Sequence, residues 1–366
     1  MSAGPLRWGF MPCTSAIATK NYHAIKGSPS SALVAVASRS AERAAAWAAA
    51  RGESVAVHGS YEALLADASV SAVYMPLPTA LHAQWVVAAA RAGKSVLLEK
   101  PCALSLGELA TMAAACAEAG VVLCDGVMFM HHPRLEKMLA VAAGGELGAL
   151  RRLHSSFSFA GDAAFLKENI RVQAALDALG CLGDLGWYSA RMALLVFGGL
   201  PATATAVTHA STAEGVPLDV TFTLTWSGDG GGAERIAVCD CSFLTAFRQT
   251  LEIAGDLGVL RCEDFVIPRT TGAGSRASFT VTTGAGLADA HRTVVDTVRT
   301  ETVTDACQES AMFENFARAC LDKTGADARW SELMLETQAV IDAAMASIRA
   351  GGARVSVVAP PPVRGQ

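Results

Sequence analysis

The first third of the chain alternates short apolar runs with alanine-rich stretches, and this alternation limits the possible folds more than any other feature. Four apolar runs have the length and residue types of buried strands, at residues 6–11, 32–37, 72–75 and 95–98. Helices are predicted at residues 41–50, 82–92 and 105–119, followed by a fifth buried strand at residues 121–125. Buried strands that alternate with helices are typical of a parallel sheet built from βαβ units. We therefore predict an α/β fold whose N-terminal domain is a Rossmann-type, doubly wound parallel sheet.

The pattern changes near residue 151. Apolar and polar residues alternate in four later segments, at residues 153–159, 220–226, 234–241 and 249–254, as in strands with one solvated or partner-covered face. A chain of 366 residues is also longer than a single core usually supports. We predict a Rossmann domain over residues 1–130 and a C-terminal α+β domain with a large, mostly antiparallel open sheet over residues 131–358.

Three smaller features complete the predicted organisation. The glycine run at residues 228–232 predicts a hairpin turn, because glycine adopts positive φ at little cost. A last helix is predicted at about residues 331–350, and it can pack back on the Rossmann domain. The proline-bearing tail at residues 359–366 is predicted to be disordered.

Composition and charge exclude several classes of protein. Hydrophobic residues make up 52% of the chain, but many are alanines in runs that favour helices over membrane insertion, and we predict no transmembrane segment and no secretory signal. The ten cysteines are dispersed, which favours reduced thiols and a cytoplasmic protein. The net charge of -5 comes without a basic stripe, so we expect no nucleic-acid partner. A small-molecule substrate is favoured.

The loop after the first strand is the first candidate for a site, because ligands of an open parallel sheet bind beyond the carboxyl ends of its strands. It contains Pro12, Cys13, Thr14 and Ser15, and it lacks the glycines of a dinucleotide-binding turn. Helix N–H groups, with the hydroxyls of Thr14 and Ser15, can still hold a phosphate. The alternative is a plain strand-to-helix turn, and the residues alone leave both open.

The end of the second strand bears on the type of nucleotide. It offers Ser38 and Arg39 where an acidic residue would bind a ribose 2′-hydroxyl. Arg39 can pair with a 2′-phosphate, so we predict NADP, with NADPH preferred over NADH. The alternative is an ordinary solvated arginine at a helix start.

Lys100 follows Glu99 directly beyond the buried strand at residues 95–98. An ammonium group at this position faces the cleft at the end of the sheet instead of bulk solvent. The alternative is a surface charge that caps the strand, and spacing alone does not separate the two.

Three separated segments occur in the order expected for one known family. They are Glu-Lys-Pro at residues 99–101, Met-Pro-Leu-Pro-Thr-Ala-Leu-His at residues 75–82, and Gly-Cys-Leu-Gly-Asp-Leu-Gly-Trp-Tyr at residues 180–188. Together they resemble the glucose–fructose oxidoreductase, inositol dehydrogenase and MocA (Gfo/Idh/MocA) family, over roughly residues 6–357.

Segments of the second half resemble one branch of that family. Residues 157–162, 165–167 and 170–172 are most similar to a plant-type branch, which is also similar to dimeric dihydrodiol dehydrogenase and NADP-linked D-xylose dehydrogenase. The chain departs from the family at the first turn, where the glycine turn is replaced near Pro12 and the loop is a residue longer.

The resemblance implies an NAD(P)-dependent dehydrogenase that transfers a hydride between nicotinamide and a secondary alcohol or ketone of a sugar, a sugar derivative or a cyclic diol. Oxidation of an alcohol also needs a base for the hydroxyl proton. The family match gives this task to Tyr188, because the ammonium group of Lys100 favours a phenolate and lowers the pKa of a phenol. Asp184, one helical turn earlier, can orient Lys100 or a substrate hydroxyl. The alternatives are a helix cap for Asp184 and a half-buried aromatic for Tyr188.

The resemblance also predicts the residues around cofactor and substrate. Cofactor-binding candidates are Pro12, Cys13, Thr14, Ser15, Ser38, Arg39, Pro76, Leu77, Thr79, His82, Glu99 and Lys100. His82 is expected near the nicotinamide ribose, with a helix-terminal surface histidine as the alternative. Candidates for contact with a sugar hydroxyl, carboxylate or ring are Arg171, Trp187 and His131, each of which can instead be structural. No metal is predicted, because His131 and His132 lack a matching carboxylate or cysteine cluster.

Two functions of different classes remain open. The first is the NADP-linked enzyme acting on a polyol, sugar or ketosugar. The second is a non-catalytic NADP-binding regulator or metabolite sensor on the same fold, which the altered turn at Pro12 supports. Lys100, Asp184 and Tyr188 together favour the enzyme, since a sensor needs no proton-transfer pair. Both predict a homodimer through the C-terminal sheet.

Overall fold

The computed structural model describes residues 4–228, 233–271, 274–284, 286–289, 292–294, 297–322 and 328–362. The chain divides into two compact units, the first formed by residues 1–131, 307–335 and 360–366 and the second by residues 132–306 and 336–359. Most of the predicted glycine hairpin and the last four residues of the tail lie outside the described residues.

The first unit contains a six-stranded parallel sheet. Its strands are β1 Leu6–Phe10, β2 Ser31–Ala37, β3 Ala56–His58, β4 Ala72–Met75, β5 Ser95–Leu98 and β6 Leu123–Asp125. They lie in the order β3-β2-β1-β4-β5-β6, and every pairing between them is parallel. From β1 the chain first builds the sheet outward on one side, to β3, and then on the other side, from β4 to β6. This strand order is that of a dinucleotide-binding sheet. The predicted α/β fold class is confirmed.

Helices connect the strands of the first unit. They are α1 Ala16–Lys26, α2 Ala41–Ala49, α3 Tyr61–Ala66, α4 His82–Arg91 and α5 Leu106–Glu118. Ser15, Ser40, Ser60 and Ser105 cap four of them, each hydroxyl accepting a hydrogen bond from the backbone N–H three residues later. Such caps stabilise a helix start by about 1 kcal/mol each and fix where the strand-to-helix loops end.

The second unit is built on a large open sheet. Its strands are β7 Leu150–Ser158, β8 Thr203–Ser211, β9 Pro217–Trp226, β10 Arg235–Ser242, β11 Arg248–Gly255, β12 Gly258–Cys262, β13 Thr270–Thr271, β14 Gly274–Thr283, β15 Gly286–Asp289, β16 Arg292–Val294, β17 Thr297–Thr304 and β18 Val355–Ser356. The main path is β13-β14-β12-β11-β7-β10-β9-β8-β18, with β17 beside β14, whereas β15 and β16 pair with each other. Only β7 and β10 pair in parallel within the described main sheet, so the predicted mostly antiparallel sheet is confirmed.

Three α-helices of the described chain lie entirely within the second unit. They are α6 Pro133–Ala143, α7 Ala163–Glu168 and α8 Trp187–Phe197. Alternate residues of β7 are buried, and Ser155 on that face shares a hydrogen bond of 2.8 Å with Ser189 of α8. The α8 helix is apolar on nearly all sides, as expected of a helix buried between other layers.

Two helices follow the sheet in the chain: α9 Gln308–Asp322 and α10 Ala328–Arg349. The α9 helix belongs to the first unit, where Phe313 and Phe316 pack against Trp8 with ring centroids 5.2 and 5.1 Å apart. The sequence pattern instead predicts this segment in the second domain. The α10 helix begins in the first unit and continues in the second. No helix among the described residues has the length and apolar character needed to cross a membrane.

Candidate active site

The loop after β1 lies at the carboxyl end of the parallel sheet. The N–H of Met11 donates to Tyr74 at 3.0 Å, and the N–H of Cys13 donates to Ala37 at 2.9 Å, which holds the loop between its two neighbouring strands. The hydroxyl of Ser15 already accepts from Ala18 at the start of α1, and burial raises the pKa of the Cys13 thiol to about 11. The first turn of α1 carries no acidic residue, which leaves this helix start suited to an anion.

Ser38 and Arg39 follow β2, the neighbour of β1 in the sheet. Ser38 is buried, and its oxygen accepts from the N–H of Ser40 at 3.4 Å. Arg39 is exposed, so its guanidinium is open to a ligand at this end of the sheet. The structure thus places Ser38 in the turn itself and Arg39 at the surface.

The loops after β4 and β5 are tied together by His82. Its Nδ1 lies 3.0 Å from the carbonyl oxygen of Cys102 and its Nε2 lies 2.9 Å from that of Leu77. Burial lowers the pKa of His82, whereas these carbonyl oxygens act in the opposite direction. His82 is fully buried and is not the surface histidine of the alternative interpretation. Pro76, Leu77 and Thr79 form the loop that it anchors, and all three are buried.

Glu99 and Lys100 follow β5. The hydroxyl of Tyr74 donates to Glu99 Oε1, and the amide of Asn21 donates to the same hydroxyl at 2.6 Å. Lys100 is half-buried and is joined to Pro101 by a cis peptide bond. The sequence predicts Glu99 and Lys100 but not the hydrogen bond from Tyr74, which lies 25 positions before Glu99.

His131 belongs to a 3₁₀ turn, Met128–His131, which follows β6. Its ring packs on Trp330 with centroids 4.5 Å apart, and its Nδ1 lies 2.9 Å from the Asn315 amide nitrogen. His132 instead caps α6, where its Nδ1 accepts from the N–H of Arg134. The two adjacent histidines therefore have separate surroundings. No group of three metal-ligating side chains occurs in the part of the chain that the structure describes.

Three predicted residues of the second unit lie together. Arg171 Nε lies 2.8 Å from Asp184 Oδ1, with side-chain exposures of 25% and 7%. The negative charge of Asp184 raises the pKa of Arg171, burial opposes this, and Asp177 and Tyr188 add to the rise. Tyr188 is 5% exposed, and its ring meets Phe157 edge to face at 5.5 Å. The sequence predicts all three residues but not the ion pair between two of them.

The backbone before Tyr188 is irregular, which positions Asp184. Residues Leu182–Gly186 form a π-helical turn that leads into α8, and such turns are frequent at functional sites. Gly180, with φ of +54°, allows the approach to this turn, because a Cβ there would lie 2.1 Å from the carbonyl oxygen of Pro217. Asp184 is therefore inside a helical turn and does not have the helix-capping role of the alternative interpretation.

Trp187 differs from the other candidates in its surroundings. The side chain is fully buried within the second unit, and its Nε1 has no hydrogen-bond partner among the described residues. A side chain in this position belongs to the core, so we do not include Trp187 among the proposed substrate contacts.

Comparison with known proteins agrees with this architecture. Residues 11–126 match the model of an oxidoreductase family with an NAD-binding Rossmann fold, and residues 135–261 match the GFO/IDH/MocA C-terminal domain. A dTDP-3,4-didehydro-2,6-dideoxy-alpha-D-glucose 3-reductase of Streptomyces violaceoruber is 36% identical over 66% of this chain and 69% of its own length. The D-xylose 1-dehydrogenase (NADP(+)) 2 of Haloferax volcanii is 45% identical over 45% of this chain and 49% of its own length.

A solved structure is similar over almost the whole chain. It is a 3-ketoreductase from Actinomadura kijaniata in complex with NADP and TDP-benzene, with a TM-score of 0.81 and 27% identity, covering 95% of this chain and 98% of its own. Both halves of the fold, the strand order and the relatives agree with the family that the sequence motifs indicate. The chain belongs to the Gfo/Idh/MocA family of oxidoreductases.

Proposed function

We propose that this protein is an NADP-dependent dehydrogenase or reductase that interconverts a secondary alcohol and a ketone on a sugar, a sugar derivative or a cyclic diol. The observation that carries the proposal is the group formed by Tyr188 and the Arg171–Asp184 ion pair, because it combines a phenol with a fixed cation and carboxylate. The names of the relatives support the substrate class, since they include a nucleotide-sugar ketoreductase and a xylose dehydrogenase.

The proposed chemistry divides between the cofactor and the protein. The nicotinamide, when bound, supplies or accepts the hydride. Tyr188 gives a proton to the substrate oxygen during reduction and takes it back during oxidation. Lys100 contributes the ammonium charge that favours the phenolate form of this tyrosine.

Arg171 and Asp184 orient the substrate in this proposal. The guanidinium presents N–H donors in a fixed plane; one of them is used by Asp184, and Nη1 lies 3.4 Å from Asn169 Oδ1. The pairing holds the guanidinium in one orientation, so its remaining donors can select a sugar hydroxyl by geometry. His131, in the first unit, is a second proposed substrate contact.

The nucleotide is proposed to bind at the carboxyl end of the parallel sheet. The start of α1 would hold phosphate through backbone N–H groups, with Pro12, Cys13, Thr14 and Ser15 forming the loop before it. Arg39 would pair with the 2′-phosphate beside Ser38. The loops that contain Pro76, Leu77, Thr79, His82 and Glu99 would line the nicotinamide end.

Titration of the purified protein with NADPH and with NADH, followed by nicotinamide fluorescence, tests this proposal. We expect preferential binding of NADPH that Arg39→Asp abolishes and that Arg91→Asp, at the exposed last residue of α4, leaves unchanged. Absence of binding by either nucleotide would contradict the proposal. Binding without turnover of any sugar or diol would favour the NADP-binding regulator instead.

We also propose a cytoplasmic homodimer. All ten cysteines are free, and eight are buried, which suits a reducing compartment. The large sheet of the second unit exposes Val207 and Val298 on its strands, at 46% and 63%. A second copy of the chain would cover such apolar positions.

A further inference from the structure

A chain of buried hydrogen bonds leads from α1 to Glu99. The Asn21 amide donates to the Tyr74 hydroxyl at 2.6 Å, and that hydroxyl donates to Glu99 Oε1. Asn21 and Tyr74 are buried, at 4% and 0% exposure. The two bonds run in the same direction and end on a carboxyl oxygen. This direction suits an ionised Glu99, because a carboxylate only accepts hydrogen bonds.

The ring of Tyr74 is held in one place by its neighbours. It packs against Phe10 and Phe313 with ring centroids 5.2 and 5.3 Å apart. Its backbone carbonyl accepts from Met11, the first residue after β1. The hydroxyl therefore has little freedom to move away from Glu99, and the position of Tyr74 is linked to the loop that we propose for the pyrophosphate.

A third residue confines Glu99 from another side. A Cβ at Gly126 would lie 3.1 Å from Glu99 Oε1, closer than an ordinary van der Waals contact. The N–H of Gly126 also donates to Leu98 at 2.7 Å, which fixes the backbone just before Glu99. The Glu99 carboxylate is thus held by a hydroxyl and occupies space that a side chain at position 126 would restrict.

We propose that Asn21 and Tyr74 are positioning residues, which hold the Glu99 carboxylate and so the Glu99–Lys100 segment in the orientation that NADP(H) requires. This inference rests on the proposed function, in which Glu99 and Lys100 contact the nucleotide. It adds that the Tyr74 hydroxyl links α1, through Asn21, to the end of β5, through Glu99. If Tyr74 had only a structural role, Tyr74→Phe would lower the stability of the protein. The effect of Glu99→Gln on NADPH binding would then be the same with Tyr74 and with Phe at that position.

The test compares two tyrosines that each donate to a glutamate in the same unit. Tyr22 donates to Glu53 Oε1 at 2.5 Å, so Tyr22→Phe is a matched control for Tyr74→Phe. The full-length proteins are titrated with NADPH by nicotinamide fluorescence, and their thermal unfolding is followed in parallel. We expect Tyr74→Phe to raise the NADPH Kd about tenfold, as for one lost hydrogen bond to a charged group. Tyr22→Phe is expected to leave this Kd unchanged.

A double-mutant cycle separates positioning from general stability. Glu99→Gln alone is expected to weaken NADPH binding, and adding Tyr74→Phe in that background is expected to change the Kd less than about twofold, because coupled residues do not act additively. Additive losses, or wild-type binding by Tyr74→Phe, would overturn the inference. If Tyr74→Phe does not fold, Asn21→Ala tests the same series of hydrogen bonds. Its effect on the NADPH Kd is likewise expected to be smaller in the Glu99→Gln background. Failure of the proposed function is recognised separately, since the wild-type protein would then not bind NADPH.

Discussion

Arg171 Nε and Asp184 Oδ1 are 2.8 Å apart, joined across an irregular stretch of backbone that includes a π-helical turn. The carboxylate is almost fully buried, whereas the guanidinium keeps a quarter of its surface exposed. An ion pair with one buried and one partly exposed member can fix the exposed member for contact with a ligand.

Asp184→Asn is predicted to lower kcat/KM about tenfold to a hundredfold, because Arg171 loses the partner that orients it. The same change is expected to reduce the free energy of unfolding by about 1–3 kcal/mol, less than for a fully buried pair because Arg171 is partly solvated. Asp240→Asn is the control, since it breaks the Arg248–Asp240 pair of half-exposed side chains in the same unit. Equal effects of the two variants on catalysis would contradict the role of Asp184.

Tyr188→Phe is predicted to lower kcat at least about a hundredfold, the usual contribution of a positioned proton donor. NADPH binding is expected to be unaffected, because the variant removes only a hydroxyl from the second unit. The measurement is steady-state turnover of NADP+ with the sugar or diol that gives the highest rate in a screen that includes D-xylose. Tyr22→Phe serves as the control, and full activity of Tyr188→Phe would exclude this residue as the proton donor.

Lys100→Met is predicted to lower kcat as strongly as Tyr188→Phe, since the proposed mechanism relies on the ammonium charge of Lys100 to favour the phenolate form. The double variant is expected to be little worse than either single variant, because residues that act as a unit are not additive. Independent losses that multiply in the double variant would indicate that Lys100 and Tyr188 act in separate steps.

Glu314 is predicted to make folding depend on pH. Burial alone would raise its pKa, but the N–H of Ser30, the hydroxyls of Ser28 and Ser30, and Arg318 lower that pKa to about 2. Because the folded pKa lies below the unfolded value, this stabilisation is complete above the unfolded pKa of 4.5 and is lost as the pH falls towards 2. Glu314→Gln should therefore reduce the free energy of unfolding at neutral pH, by up to about 3 kcal/mol.

Thermal and denaturant unfolding between pH 7 and pH 2 would measure this effect. The difference between wild-type protein and Glu314→Gln should shrink as the pH falls below 4.5. Glu118→Gln, at an exposed position at the end of α5, is the control and should change little. A difference that persists unchanged at pH 2 would show that the hydrogen bonds of Glu314 do not depend on its charge.

Val298→Lys is predicted to convert the proposed dimer to a monomer, because a charge would then be buried at the interface. Sedimentation velocity measures the change directly. Val57→Lys places the same charge at an exposed position of β3 in the first unit and should leave the assembly intact. A monomeric wild-type protein would rule out the dimer.

The parallel sheet could be predicted closely, because its buried strands are continuous apolar runs. The strands at residues 72–75 and 95–98 were predicted with the bounds that the structure shows. The third strand, β3, was missed, since Ala56–His58 has only three residues and none of them is buried. The α9 helix was not predicted, and its segment was assigned to the second domain, because the contact between Phe313 and Trp8 joins residues that no local pattern connects.

The identities of the candidate site residues could be predicted from the sequence, but the contacts between them could not. Motifs identified Asp184 and Tyr188, whereas the pairing of Asp184 with Arg171 depends on how an irregular segment folds back. Two oppositely charged candidates, 13 positions apart, were the available signal. The burial of His82 between two carbonyl oxygens depends on loops after two different strands, and sequence patterns do not describe such loops.

The position of α9 has a consequence for how the protein forms. Trp8 and Phe10 lie in the first strand, yet the aromatic rings that cover them arrive with Phe313 and Phe316, some 300 residues later. During synthesis, this apolar side of the sheet stays uncovered until Phe313 and Phe316 have been made. Contacts of such long sequence separation slow folding and leave apolar surface open to other chains. The first strand of the parallel sheet is therefore made long before the helix that completes its core.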